Sequence, residues 1–113
     1  MNDKNLKNKI ILITGSNGHL GLTISKALNK SCKKLILIDK DKKNKNSFGH
    51  YFQCNFENSQ DIKNVIEKIK KSYTKIDGLI NNAAMVGDDY KKKKTFLEIE
   101  WKKCLNINLI SVY

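Results

Sequence analysis

The 113 residues carry 40% hydrophobic side chains and a formal net charge of +11, a balance that suits one packed domain and excludes a disordered chain. No apolar run reaches membrane-spanning length. The run Ile10 to Ile13 behind the polar N-terminus is too short for a signal-peptide core, so the expectation is a cytoplasmic protein.

All 22 basic residues are lysine. Arginine, the better side chain for phosphate and base forks, is absent. Lysine, asparagine and isoleucine enrichment is what an AT-rich genome writes onto any protein. The charge therefore reads as a solvated lysine surface, with no specific nucleic-acid site and no membrane partner expected. Cys32, Cys54 and Cys104 are odd in number, widely spaced and without a CxxC pair. They read as reduced structural thiols, with no disulfide framework and no metal site.

In chain order, Lys9 to Thr14 is apolar on consecutive positions, as a strand buried on both faces requires. His19 to Ser31 follows with Leu20, Ile24, Ala27 and Leu28 at helical spacing. Lys34 to Asp39 is a second buried strand, Asp41 to Gly49 a polar loop, and His50 to Phe56 a third, weaker strand. Ser59 to Tyr73 is the clearest helix, with Ser59 placed to cap it and Ile62, Val65, Ile66, Ile69 and Tyr73 along one face. Asp77 to Ala84 reads as a fourth strand and Val86 to Lys94 as a loop. Thr95-Phe-Leu-Glu98 has the form of a capping box opening a last helix. Strands alternating with helices predict parallel strands joined by right-handed crossovers, hence a doubly wound α/β sheet in a single domain. The last helix pattern runs into Tyr113 without a stop signal, so the domain reads as incomplete at its C-terminus.

The turn between the first strand and the first helix reads Thr14-Gly-Ser-Asn-Gly-His-Leu-Gly21. Gly15 suits a tight turn, Gly18 a close approach of backbone to a pyrophosphate, and Gly21 the packing of helix on sheet. The helix start would offer N–H groups to phosphates. Thr14, Gly15, Ser16, Asn17, Gly18, His19, Leu20 and Gly21 are accordingly candidate cofactor-binding residues, His19 through its backbone. Asp39 closes the second strand eighteen residues after Gly21. A carboxylate there can accept both hydroxyls of an adenosine ribose and would repel a 2′-phosphate. It points to NAD over NADP, although Lys40, Lys42 and Lys43 stand next to it.

With Asn81-Asn-Ala-Ala84 and Trp101-Lys-Lys-Cys-Leu-Asn-Ile-Asn-Leu109, the chain resembles the short-chain dehydrogenase/reductase family over essentially its whole length. The resemblance implies a Rossmann fold, three-layer α/β/α, with the sheet order 3-2-1-4 in this segment. Asn81 to Ala84 resembles the Asn-Asn-Ala-Gly segment that braces the family's central sheet and lets backbone pass close to the cofactor. Asn82, Ala83 and Ala84 therefore join the cofactor candidates. Asn55 stands where the family usually has an Asp beside the adenine ring, and its carbonyl could accept from the adenine amine. By the same resemblance Asn108 is the catalytic asparagine, holding a water in a proton relay.

The resemblance implies hydride transfer between a nicotinamide ring and a carbonyl or alcohol substrate, by a protein that forms homo-oligomers. The family's Ser, Tyr and Lys follow the asparagine, and this chain has no such set after Asn108. Tyr90-Lys-Lys-Lys-Lys94 has the Tyr-x-x-x-Lys spacing but precedes Asn108 and lies in a loop, so it is not taken as the pair. The 113 residues are thus expected to be inactive alone. The glycine spacing Thr-Gly-x-x-Gly-x-x-Gly is that of the extended branch, whereas Asn81 to Ala84 and Trp101 to Asn108 look like the compact branch. A nucleotide-sugar epimerase or dehydratase, and an NAD-binding protein without turnover, stand as alternatives.

Overall fold

The computed structural model describes residues 5–83. Over them the chain forms β1 (Ile10–Thr14), α1 (His19–Asn29), β2 (Lys34–Asp39), β3 (His50–Gln53), α2 (Ser59–Ser72) and β4 (Gly78–Ile80). The strands make one parallel sheet in the order β3-β2-β1-β4, as expected. β1 pairs with β2 along its whole length, from Ile10 opposite Lys34 to Thr14 opposite Ile38.

Side chains alternate across a strand, and both faces of this sheet are covered. Ile11 and Ile13 of β1 and Leu35 and Leu37 of β2 pack on one face with Leu28 of α1. Leu12, Ile36 and Ile38 pack on the other with Cys54 and with Val65 and Ile69 of α2. Two separate apolar layers flank the sheet, which is why β1 and β2 read as unbroken apolar runs. Cys32 and Cys54 are free thiols. Burial, followed by the charge of Asp61, pushes the Cys54 thiol up to about 11. Among the described residues no helix is long and apolar enough to cross a membrane.

Two strands are shorter than their sequence pattern. β3 ends at Gln53 because the chain then leaves the sheet: Asn55 N donates to Asp61 Oδ2 (2.7 Å) at the start of α2. β4 ends at Ile80 because the next amides turn to the Thr14 hydroxyl instead of a strand ladder. At the other end of β4, Asp77 fixes register against β1. Its N–H donates to Ile10 O (2.8 Å) and its Oδ2 accepts from Ile10 N (2.8 Å). That backbone donor, with Lys75 beside it, holds the Asp77 carboxyl below its ordinary value. The last helix, the Thr95–Glu98 capping box, Tyr90 to Lys94 and Cys104 lie outside the described residues.

The cap of α2 is Asn58, not Ser59. Asn58 has extended backbone, and its Oδ1 accepts from Gln60 N (3.0 Å) and Asp61 N (3.1 Å). Ser59 is already the first helical residue. Both positions carry good capping side chains, and sequence spacing does not separate neighbours; the extended backbone of Asn58, one residue before the helix, does. Replacing Asn58 by Ala should lower stability by about 1 kcal/mol, whereas Ser59→Ala should change it by less than about 0.5 kcal/mol. Urea unfolding of the two variants in the full-length protein checks the assignment.

Candidate functional site

The C-terminal ends of β1, β2 and β4 converge on the glycine-rich turn. Gly15 leaves β1 with φ of +70°, a left-handed conformation that favours glycine. Its N–H stays on the sheet, donating to Ile38 O at the end of β2 (2.8 Å). A Cβ on Gly15 would meet Ala83 Cα at 2.8 Å, and one on Gly21 would meet Gly15 O at 2.0 Å. These two glycines are therefore demanded by internal packing. Gly18 is different: its φ is −75°, and an added Cβ would find only Gly15 O at an ordinary 3.6 Å. Among the described residues no packing contact requires glycine at 18, although glycine is well suited to this N-cap position, and the surface there is left open.

α1 begins directly after Gly18 with no side-chain cap and no acidic residue in its first turn. Its first backbone bond runs from Leu22 N to Gly18 O (2.8 Å), so the N–H groups of His19, Leu20 and Gly21 precede the ladder. His19 and Leu20 are exposed. A helix start of this kind carries partial positive charge and free donors, which suits an anion.

The β4 side of the site is braced by Thr14. Its hydroxyl accepts from Asn82 N (3.1 Å) and Ala83 N (3.0 Å). Asn82 Nδ2 donates to Gly15 O (3.1 Å). Thr14 is buried and Asn82 and Ala83 are half-buried, so this segment is held tightly against the glycine turn. Ala84 and Asn108 lie outside the described residues.

On the β2 side the Asp39 carboxylate already holds two amides: Oδ2 accepts from Asn17 N (2.9 Å) and Oδ1 from Lys40 N (2.7 Å). Each oxygen keeps a second lone pair for an incoming hydroxyl. Asn55 is exposed, and its Oδ1 accepts from Glu57 N (3.0 Å); it too keeps one lone pair.

Asn17 behaves otherwise than the turn residues around it. It is only 4% exposed, and its carboxamide faces the loop after β2. Nδ2 donates to Lys43 O (2.9 Å) and Tyr51 Oη (3.2 Å), while Oδ1 accepts from Lys45 N (2.9 Å). Tyr51 Oη donates in turn to Asp41 O (2.5 Å), and Asn46 Nδ2 to Ser16 O (3.4 Å). Sequence reasoning missed Tyr51 and Asn46 altogether, because bonds spanning some thirty residues leave no periodicity behind. Ser16 Oγ and Asn46 Oδ1 at the same seam are buried without a hydrogen-bond partner among the described residues.

Burial, then the charges of Asp39 and Asp41, raise Tyr51 from 10.0 to about 12, while its bond with Asn17 acts the other way. The fold thus favours the neutral phenol. Its contribution to stability is complete below pH 10 and is lost as pH rises through about 12. The unfolding free energy should fall across that window, and Tyr51→Phe should flatten the fall.

A cavity of about 410 Å³ lies elsewhere, between β3 and α2, lined by Tyr51, Phe52, Gln53, Asp61, Val65 and Lys68. No residue of the glycine turn lines it. Among the described residues no group of His, Cys, Asp and Glu could hold a metal ion.

A parallel sheet in this order, with a glycine-rich turn leading into a bare helix start, defines the Rossmann class of dinucleotide-binding folds. Residues 9–113 match the family model described as short chain dehydrogenase, and the chain belongs to that family. It is 31% identical over 114 residues to an uncharacterized oxidoreductase of Saccharomyces cerevisiae, covering 95% of this chain and 36% of that protein. It is 26% identical over 116 residues to the 3-oxoacyl-[acyl-carrier-protein] reductase of Escherichia coli, covering 96% of this chain and 47% of that enzyme. Among solved structures, 3-ketoacyl-(acyl-carrier-protein) reductase from Brucella melitensis complexed with NADH shares the fold with a TM-score of 0.77 at 20% identity, over 95% of this chain and 47% of that one. The chain spans less than half the length of these relatives.

The packing makes a direct prediction. Gly21→Ala should destabilise the domain by about 3 kcal/mol or more, because a backbone carbonyl must move. Gly18→Ala should cost less, about 1 kcal/mol, the loss of glycine at a helix N-cap, since its backbone is ordinary and its surroundings open. Thermal melts of the two variants in the full-length protein distinguish the roles.

Proposed function

We propose that the full-length protein is an NAD-dependent oxidoreductase that moves a hydride between a nicotinamide ring and a carbonyl or alcohol carbon, and that these residues hold the adenosine and pyrophosphate end of the cofactor. The observation that carries the reading is the start of α1: Gly18 stands there with no side-chain cap, and among the described residues nothing comes closer than 3.6 Å to where its Cβ would be. A pyrophosphate is the group such a place would take, bound by the N–H groups of the first turn and approached closely because no Cβ intervenes. When bound, the nicotinamide would supply or accept the hydride.

The other residues have supporting tasks in this reading. Thr14, Gly15 and Gly21 set the turn; Ser16 and Asn17 continue it; His19 and Leu20 offer backbone donors. Asn82, Ala83 and Ala84 bring backbone past the cofactor, and Asn55 meets the adenine through its carbonyl. Asn108 is proposed as the catalytic asparagine on family resemblance alone. The Brucella melitensis reductase is complexed with NADH, which supports a nicotinamide cofactor here. The reductase and oxidoreductase relatives favour this reading over an epimerase or dehydratase. A homo-oligomeric, cytoplasmic enzyme acting on a small molecule completes the proposal.

NAD is preferred to NADP because Asp39 stands at the end of β2 with both oxygens still able to accept a ribose hydroxyl. Asp39→Asn keeps an oxygen acceptor but loses the charge that repels a 2′-phosphate. It should move the NAD:NADP ratio of dissociation constants toward NADP by about tenfold, equivalent to about 1.4 kcal/mol. Calorimetric titration of the full-length protein with each dinucleotide measures this. Equal affinity of the parent for both would refute the preference, and binding of neither would refute the cofactor reading itself.

A further inference from the structure

Four lysines, at 40, 42, 43 and 45, follow Asp39 within six residues and all are exposed. Four mobile cations beside one carboxylate would ordinarily blunt its discrimination against a phosphate, because lysine is a flexible point charge that reaches several Å from its backbone. The structure shows how the segment that bears them is held. The backbone of the lysine segment is turned inward and fastened: Asp41 O to Tyr51, Lys43 O and Lys45 N to the carboxamide of Asn17. The same Asn17 presents its own N–H to the Asp39 carboxylate. One buried residue thus holds the carboxylate through its backbone and the segment that bears the competing charge through its side chain.

We propose that Asn17 is a specificity-determining positioning residue: its carboxamide clamps the segment 41–45 onto the glycine turn, so that an adenosine ribose meets Asp39 rather than the lysines that follow it in the chain. The inference rests on the NAD reading given above. It assigns Asn17 to the loop instead of to the phosphates, which separates it from its neighbours in the turn. Tyr51 is the second half of the clamp, since its hydroxyl lies between Asn17 Nδ2 and Asp41 O. Alanine at 17 removes all three carboxamide bonds but leaves the backbone N–H on Asp39. The loop is then freed without disabling the carboxylate.

The test uses the full-length protein and titrations with NAD and with NADP, read as dissociation constants. Asn17→Ala should weaken NAD binding more than NADP binding, lowering the discrimination between them by about tenfold. Amide exchange at Lys45, whose N–H donates to Asn17 Oδ1, should accelerate in the same variant. Tyr51→Phe should move the ratio in the same direction by a smaller factor, and it decides the matter should Asn17→Ala fail to fold. A folded variant that keeps the parental ratio would overturn the proposal, as would equal weakening of both cofactors, which marks a merely structural role. A parent that binds neither dinucleotide would show instead that the cofactor reading had failed, and this inference with it.

Discussion

The close approach of Gly21 to the Gly15 carbonyl governs the functional end of this domain. No side chain fits between them, since a Cβ on Gly21 would lie 2.0 Å from that oxygen. The start of α1 is consequently pressed against the end of β1, and its free N–H groups are held in one place relative to the sheet. The positive φ of Gly15 is the other half of the constraint. It turns the chain sharply enough for Gly15 N to remain on Ile38 O of β2 while Gly15 O receives Asn82 Nδ2 from beyond β4. Three strands and a helix are thereby tied to a single residue.

Around that contact the fold replaces sheet ladder with side-chain bonds. Thr14 is the last residue of β1, and its hydroxyl takes over the amides of Asn82 and Ala83. Asp39 is the last of β2 and takes those of Asn17 and Lys40. Each such bond is worth about 1 kcal/mol net, but a buried amide left without one would cost about 1–3 kcal/mol. The strand ends can open toward a ligand because side chains, rather than further strand, satisfy the backbone there. Burial of Ile13, Leu35, Ile36 and Leu37 at 2% exposure or less supplies the rigid floor beneath.

The abundance of asparagine had a double meaning. As composition it reads as genomic bias, yet individual asparagines carry defined tasks. Asn58 caps α2, Asn82 braces the glycine turn, Asn17 holds the lysine loop, Asn44 organises that loop from within, and Asn46 ties it to Ser16 O of the turn. A carboxamide both donates and accepts, so it can join two backbone segments that neither lysine nor aspartate alone could join.

The order of strands and helices, the two-sided burial of β1 and β2 and the glycine turn were legible in the chain itself. Each is written in local terms: an apolar run, a helical spacing, a glycine at a turn. Asp39 was legible too, because its place depends on the end of a strand. The ends of β3 and β4, the choice of Asn58 over Ser59 as cap, and the inward commitment of Asn17 were decided only in three dimensions. All four depend on partners distant in sequence or on the backbone conformation just before a helix. The spacing of the turn already assigned its three glycines different roles. What needed the tertiary structure was the identity of the neighbours: Ala83 Cα would lie 2.8 Å from a Cβ on Gly15, and Ala83 is far away along the chain and is brought there only by the pairing of β4 with β1.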